Sequence, residues 1–437
     1  RALPPTLEEL KEVVPHITVE LQEITDTMQY FQTCFAAGTC PDIPYHENFF
    51  TQYYDQDLIL ELTAYYEGDG LDFYNDFNHG LALCLWKGKI YGVPHMFETC
   101  VLFYNKDLVK KHWGKDLWEA FPDGNWEIDD MVEVGRACTQ DTSGDGKVDQ
   151  WGLFVNHRHY YYGMETQSWT RGGSIFDIDN VKYDWTSDIS SASAHFMLDS
   201  VRGPDAFIIT MEDYSEVNSA ANVTFPMMAG KTAMRIRMST DTGRLIGTVG
   251  PGDESGAFRW DIFHLPNYGS NQAVTRAGGH PNCISKATKY PDDCWAVCRE
   301  LGTSLGQKYI ARTKMSVPCY RKDPELRKEL EVGTPEHDTT LMAVVEEKGG
   351  YGDHLRFHNE AECRRMYQNE MDLIFTEPYE EAKARLDELN VKLEEEMNAI
   401  VDYGGGDKPK SVEKEPVTLT YANWWGAYNS TALPPTL

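Results

Sequence analysis

Positive charge is scarce in this sequence. Forty Lys and Arg face 69 Asp and Glu, which leaves a formal net charge of −29 over 437 residues. Such a surface repels phosphate backbones and anionic lipid, and this sets nucleic acid aside as a partner. No apolar run approaches the roughly 18–20 residues needed to span a bilayer, and no charged-then-apolar leader is visible at the N-terminus. The ten cysteines lack CxxC spacing and a His-rich neighbourhood, which argues against a structural zinc site. Cys34 and Cys40 are near enough in sequence to pair. Cys294 and Cys298 have helical i, i+4 spacing, and most of the ten read as buried thiols. There is no HExxH or P-loop, so no metalloprotease or nucleotide signature is present.

What is present suits a globular chain of two domains. The hydrophobic fraction is 41% and the charged fraction 25%, and the length exceeds what one core usually holds. "LPPTLEELKEVVP" has helical spacing at Leu7, Leu10 and Val14, with Thr6 placed to cap it and Pro15 to end it. "HITVELQEI" alternates like a strand. "TDTMQYFQTCFAAG" predicts a helix ended by Gly38. Leu81–Gly92 and Val101–Tyr104 read as short strands, and Phe225–Met238 as a helix end, a Gly turn and a strand. Lys289–Thr313 predicts two helices, and Tyr379–Val401 one long amphipathic helix.

Asp402–Pro416, "DYGGGDKPKSVEKEP", is the clearest linker in the chain. After it comes "VTLTYANWWGAYNSTALPPTL", a strand-like run whose last six residues, Ala432–Leu437, repeat Ala2–Leu7. With Val417–Trp424 placed before Ala2, the order becomes βαβα, the pattern of a parallel sheet covered by helices.

"KIYGVPHMFETCVLFYNKDLV" (Lys89–Val109), "DTSGDGKVDQWGLF" (Asp141–Phe154), "MMAGKTAM" (Met227–Met234) and "SVPCYRK" (Ser316–Lys322) follow one another in that order. With the wrapped "VTLTYANWWG" and "ITVELQEI", they resemble the extracellular solute-binding proteins of ABC importers, the maltose-binding-like group. The resemblance implies an α/β, two-lobed fold of the type II periplasmic-binding kind, with parallel-rich sheets flanked by helices and ligand held between the lobes. It implies lobe 1 from 1–105, 265–311 and 417–437, and lobe 2 from 107–263 and 313–401. The crossings would fall near Phe97–Tyr104, Phe263–Pro266 and Lys314–Pro318. Because the family's first strand stands last here, the resemblance also implies a circular permutation. Residues 402–416 would join the family's two ends, and the plain GGG and the repeated ALPPTL favour an engineered join.

By the same resemblance the chain captures a carbohydrate without chemistry and delivers it to ABC transporter permease subunits. It would do so as a monomer, in an extracellular or periplasmic setting, with lipid anchoring an option in the family and no cofactor. The loops suit a sugar. Aromatic residues make up 12% of the chain; rings cover pyranose faces while acidic, amide and Arg groups pair with hydroxyls. The expected ligand contacts are Asn423, Trp424 and Trp425 after the first strand, Asp42, and Glu98 at the first crossing. Tyr160, Tyr162 and Trp169 follow in the loop "HRHYYYGMETQSWTRGG", then Arg237, Gly279 and His280 in "RAGGHPN", and Tyr367. Adjacent Trp424 and Trp425 face opposite ways on a strand, so only one of them stacks on ligand from within it.

One departure stands out. After "GKTAM" the family runs to a Trp that stacks on sugar, whereas this chain has "RIRMSTDTG". That puts maltose in doubt and leaves Arg235 and Arg237 to favour an anionic group such as a uronate. Asp141, Ser143, Asp145 and Asp149 stand at positions one, three, five and nine of a calcium-loop pattern, with Gly146 at six. Position twelve is Gly152 rather than Glu, so a structural calcium competes with a plain Asx/Gly turn. The other functions the sequence leaves open are a binder of a glycerol phosphodiester, polyamine or peptide, and a glycosidase using two carboxylates.

Overall fold

The structure is a computed structural model. It describes residues 3–22, 24, 27–45, 50–77, 84–157, 163–177, 180–221, 225–314, 316–331, 335–337, 350–352 and 359–401. The strand Val417–Tyr421 and the linker 402–416 lie outside these residues.

The strands in chain order are β1 (Leu85–Trp86), β2 (Lys89–Ile90), β3 (Val93–Asn105), β4 (Trp151–Val155), β5 (Phe176–Asp177), β6 (Lys182–Tyr183), β7 (Thr232–Met238), β8 (Trp260–Phe263), β9 (Val274–Asn282) and β10 (Gly350–Gly352). β1–β2 and β5–β6 are small hairpins. The rest form one sheet in the order β10-β9-β3-β7-β4, with β8 also paired to β3. Its pairings are mixed: β4–β7 and β10–β9 are parallel, while β3 runs antiparallel to β7, β8 and β9. Among the described residues the sheet is thus mixed, with two parallel pairings. The long strand β3 runs against every partner it has.

Local signals place the helices well. The predicted pair appears as Pro291–Gly302 and Ser304–Thr313, and the long amphipathic run as Tyr379–Ile400. A 3-10 turn at Pro226–Ala229 ends on Gly230 at φ 67° and leads into β7. That left-handed φ suits glycine. The first helix runs Leu3–Val13, so Thr6 is inside it and buried rather than its cap; Pro4 and Pro5 fit the first turn, where no amide partner is missed. The expected strand at 17–21 forms no ladder among the described residues.

Alternation along β3 feeds two cores. Cys100, Leu102 and Tyr104 pack with Leu153, Ile236, Met197, Tyr367 and Leu389. Val101 and Phe103 pack with Phe97, Phe77, Trp260, Ile284 and Leu330. None of the ten cysteines forms a disulfide, and nine are buried.

Gly152 in β4 lies against the helix Ile128–Cys138: a Cβ there would come 1.9 Å from the Gly135 carbonyl oxygen. Backbone cannot step aside as a side chain does. Gly152→Ala should therefore destabilise the protein by about 3 kcal/mol or more, read as a lower urea midpoint at unchanged m-value.

Candidate functional site

β3 changes partners in mid-strand. Val93–Thr99 pairs with β9, from Val93 opposite Asn282 to Thr99 opposite Ala277. Cys100–Tyr104 pairs with β7, and Leu102–Asn105 with β8. In open α/β sheets ligands gather where strands part company in this way. At the change-over the Thr275 hydroxyl accepts from the Cys100 amide at 3.0 Å and donates to the Cys100 carbonyl at 2.7 Å. The Ser239 amide donates to the Thr99 carbonyl at 2.8 Å. A third segment joins them: the Phe97 carbonyl accepts from the Ser316 hydroxyl at 2.6 Å and from the Val317 amide at 3.1 Å. Two of the expected crossings, near 97–104 and 314–318, therefore meet.

The hydroxyls of Thr99, Ser239 and Thr242 are buried at this junction and have no hydrogen-bond partner among the described residues. Buried polar groups are usually bonded, so the junction carries polarity that the fold itself leaves unused.

Several expected residues gather here. Glu98 is half-buried on β3 opposite Gly278, and the backbone of Gly279 and His280 pairs with Phe97 and Met96. The helix Met164–Thr170, which carries half-buried Trp169, leans on β9 through the Val274 amide bonded to the Thr170 hydroxyl at 3.2 Å. Arg237 stands on β7 opposite Val101 with its side chain 26% exposed.

Asp241, fully buried, gathers the nearby cations. Arg235 donates to it at 2.9 Å, Arg244 at 3.1 Å, and Arg237 approaches to 4.0 Å. Arg235 is wedged between the Phe225 and Phe154 rings, 3.9 and 4.7 Å from their centroids. Burial pulls its guanidinium below the ordinary value, and the Asp241 charge opposes that. Arg235 is thus committed to a carboxylate of the protein, which weakens the uronate reading. A helix, Asp241–Thr248, begins beside the position where the family's Trp is missing.

Other expected residues lie elsewhere. Tyr367 is fully buried: its hydroxyl donates to the His157 carbonyl at 3.1 Å and its ring stacks on Trp185 at 5.3 Å. Its place on the apolar stripe of the helix Glu360–Ile374 puts it in a core, not on the cleft wall. Asp42 holds the Thr288 hydroxyl at 2.6 Å and borders a separate groove. Tyr160, Tyr162, Asn423, Trp424 and Trp425 lie outside the described residues. Sequence reasoning passed over Thr99, Ser239, Thr275 and Asp241. Only Asp241, six residues beyond a strand Arg, left a signal in the sequence.

On the loop 141–149, Asp141 accepts from the amides of Gly144 and Gly146 at 2.6 and 2.7 Å, and Asp149 from the Thr142 amide at 2.8 Å and from Lys231 at 3.4 Å. These are Asx-turn contacts, and they hold the Asp141 and Asp149 carboxyls below their usual range through backbone hydrogen bonds. With the carboxylates already used, melting curves in calcium chloride and in chelator should superimpose. A calcium-dependent rise of several degrees would instead establish a bound ion.

Among the described residues one trio, Asp261, Glu336 and His337, brings three ligand-type atoms together within 4.8 Å. The Lys106 ammonium already sits there, 3.5 Å from Asp261 and 3.2 Å from Glu336, so the group is an ion-pair network. His337 Nδ1 is 2.7 Å from Asp261, and its ring stacks on Trp118 at 4.2 Å. Burial alone would lower the His337 pKa. The hydrogen bond to Asp261 and its charge outweigh that and raise it above the usual 6.5.

A chain whose two lobes are joined by a shared strand, with polar groups and a Gly-rich backbone at the joint, is built like a two-lobed binding protein. The model of the bacterial extracellular solute-binding protein family matches residues 7–324, and the chain belongs to that family. Its fold is shared with sugar-binding structures. The ABC substrate-binding protein Lmo0181 of Listeria monocytogenes, in complex with cycloalternan, aligns with TM-score 0.73 at 17% identity, over 91% of this chain and 95% of that one. Maltose-bound T. maritima MalE3 aligns at 0.66 and 19% identity, over 90% and 96%. The Bdellovibrio bacteriovorus MalE domain bound to maltotriose aligns at 0.67 and 18%, over 91% and 95%. No curated protein matches the sequence.

Two outcomes follow. Asp241→Ala leaves Arg235 buried without its carboxylate and should cost about 3–5 kcal/mol of stability, measured by denaturant unfolding. His337 has a raised folded-state pKa, so its stabilisation is full below pH ~6.5 and is lost as pH rises through the folded value. The melting-temperature gap between wild type and His337→Gln should therefore narrow as the pH is raised above 6.5.

Proposed function

We propose that this protein captures a carbohydrate, an oligosaccharide in the first instance, where β3 changes partners, and hands it to an ABC importer without altering it. The observation that carries the reading is the junction itself. Half-buried Glu98 lies beside a Gly-rich strand, with Trp169 on a neighbouring helix, in a fold shared with structures solved with cycloalternan, maltose and maltotriose. A carboxylate that accepts hydroxyl hydrogens and a ring that covers a C–H face are what a pyranose needs. Bound sugar would shift the lobes toward a closed state by binding that state better.

A thermal-shift panel of maltooligosaccharides, cyclic glucans, monosaccharides, uronates, polyamines and glycerol phosphodiesters tests it, because a ligand of the folded state raises the melting temperature. Neutral oligosaccharides should raise it and be recovered intact. Glu98→Ala should weaken the best sugar about tenfold or more, as expected for a hydrogen bond to a charged group. A shift by polyamines alone would sink the sugar reading, and cleavage of the sugar would make the protein a hydrolase.

A further inference from the structure

The helix Thr27–Ala37 is followed by a left-handed residue, Gly38 at φ 65°. The Gly38 amide donates to the Phe35 carbonyl at 3.2 Å, and the Thr39 amide to the Cys34 carbonyl at 2.9 Å. This pair of bonds is a Schellman cap, which folds the chain back over the turn it has just left. Cys34 lies in that last turn and Cys40 comes just after the glycine, so the cap brings the two together. Their side chains are within hydrogen-bonding reach of one another. Both belong to one apolar cluster with Phe31, Phe35 and Tyr53. Cys34 is buried, whereas Cys40 is half-buried. The other pair close in sequence, Cys294 and Cys298, sits one turn apart on a helix. Such neighbours hold their Cβ atoms ~5–6 Å apart, beyond the ~3.5–4.5 Å that a disulfide spans.

We propose that Cys34 and Cys40 are an oxidisable pair that closes a disulfide over the cap of this helix. The extracellular setting of the family is one in which disulfides form and persist. Half-buried Cys40 meets the oxidant first. Its thiolate attacks one sulfur of a small-molecule disulfide, such as oxidised glutathione, and the other half leaves as thiolate. The Cys34 thiolate then attacks the Cys40 sulfur and expels the second half. One S–S bond breaks and one forms. The two cysteines give up two electrons, and their two protons end on the two released thiols. Burial, and after it the Cys34 side chain, push the Cys40 thiol above its ordinary value. Little thiolate therefore forms near neutrality, and oxidation speeds up as the pH rises. That is the behaviour of a structural bridge rather than of a fast redox relay. The bridge fixes the helix end to the segment 41–45. There the Asp42 and Pro44 carbonyls accept from the amides of Ser285 and Cys283 at 2.9 and 3.1 Å, just beyond β9. Helix and sheet are thereby tied through one covalent link.

Incubating the whole, folded protein with oxidised glutathione at mildly alkaline pH, then unfolding and alkylating it, tests this directly. Two of the ten thiols should be lost. Chymotryptic cleavage after Phe35 should leave the fragments carrying Cys34 and Cys40 joined until a reductant is added. Closing the seven-residue loop Cys34–Cys40 should raise the folded-to-unfolded ratio roughly fiftyfold over the reduced protein on the chain-entropy account, read as a higher urea midpoint. Cys40→Ala should abolish both the thiol loss and that gain. Ten free thiols after the treatment overturn the proposal. A bridge that joins other cysteines, or two copies of the chain, overturns it as well. If Cys40→Ala does not fold, the map of the wild-type protein still decides. The bridge is scored without sugar, so loss of the sugar reading does not touch this result.

Discussion

The thirteen-residue strand Val93–Asn105 has to satisfy two neighbourhoods at once, and the rest of the structure is arranged around that demand. Its first half bonds to β9 and its second half to β7 and β8. Its side chains alternate between two cores, Cys100, Leu102 and Tyr104 into one and Val101 and Phe103 into the other. At the hand-over an ordinary ladder bond would have no strand to receive it, and the Thr275 hydroxyl does that work on both Cys100 backbone groups. A junction held by a side-chain hydroxyl, a serine amide and one carbonyl with two donors is stiff along the strand.

Electrostatics at the joint follow the same economy. The chain is strongly acidic, yet three arginines converge on one buried carboxylate, Asp241, next to the junction. A buried cation needs its partner more than a surface one does. The partner comes from the segment directly after β7, so strand and helix are locked together at the cleft. Arg235 is buried with Asp241, whereas Arg237 at 26% and Arg244 at 53% exposure reach solvent.

What could be read from the sequence was whatever local chemistry decides. Breakers and periodicity located Pro291–Gly302, Ser304–Thr313 and Tyr379–Ile400, and Gly230 marked the turn into β7. Ordered motifs located the family. The strand β3 was read in pieces because continuous apolar runs and Pro94 hide a single element that changes partners. Tyr367 was misplaced because an aromatic on an apolar stripe looks the same from sequence whether the stripe faces a cleft or a core. The hydroxyl-bearing residues of the junction were invisible, since a Thr or Ser gains its meaning only from which carbonyl lies opposite.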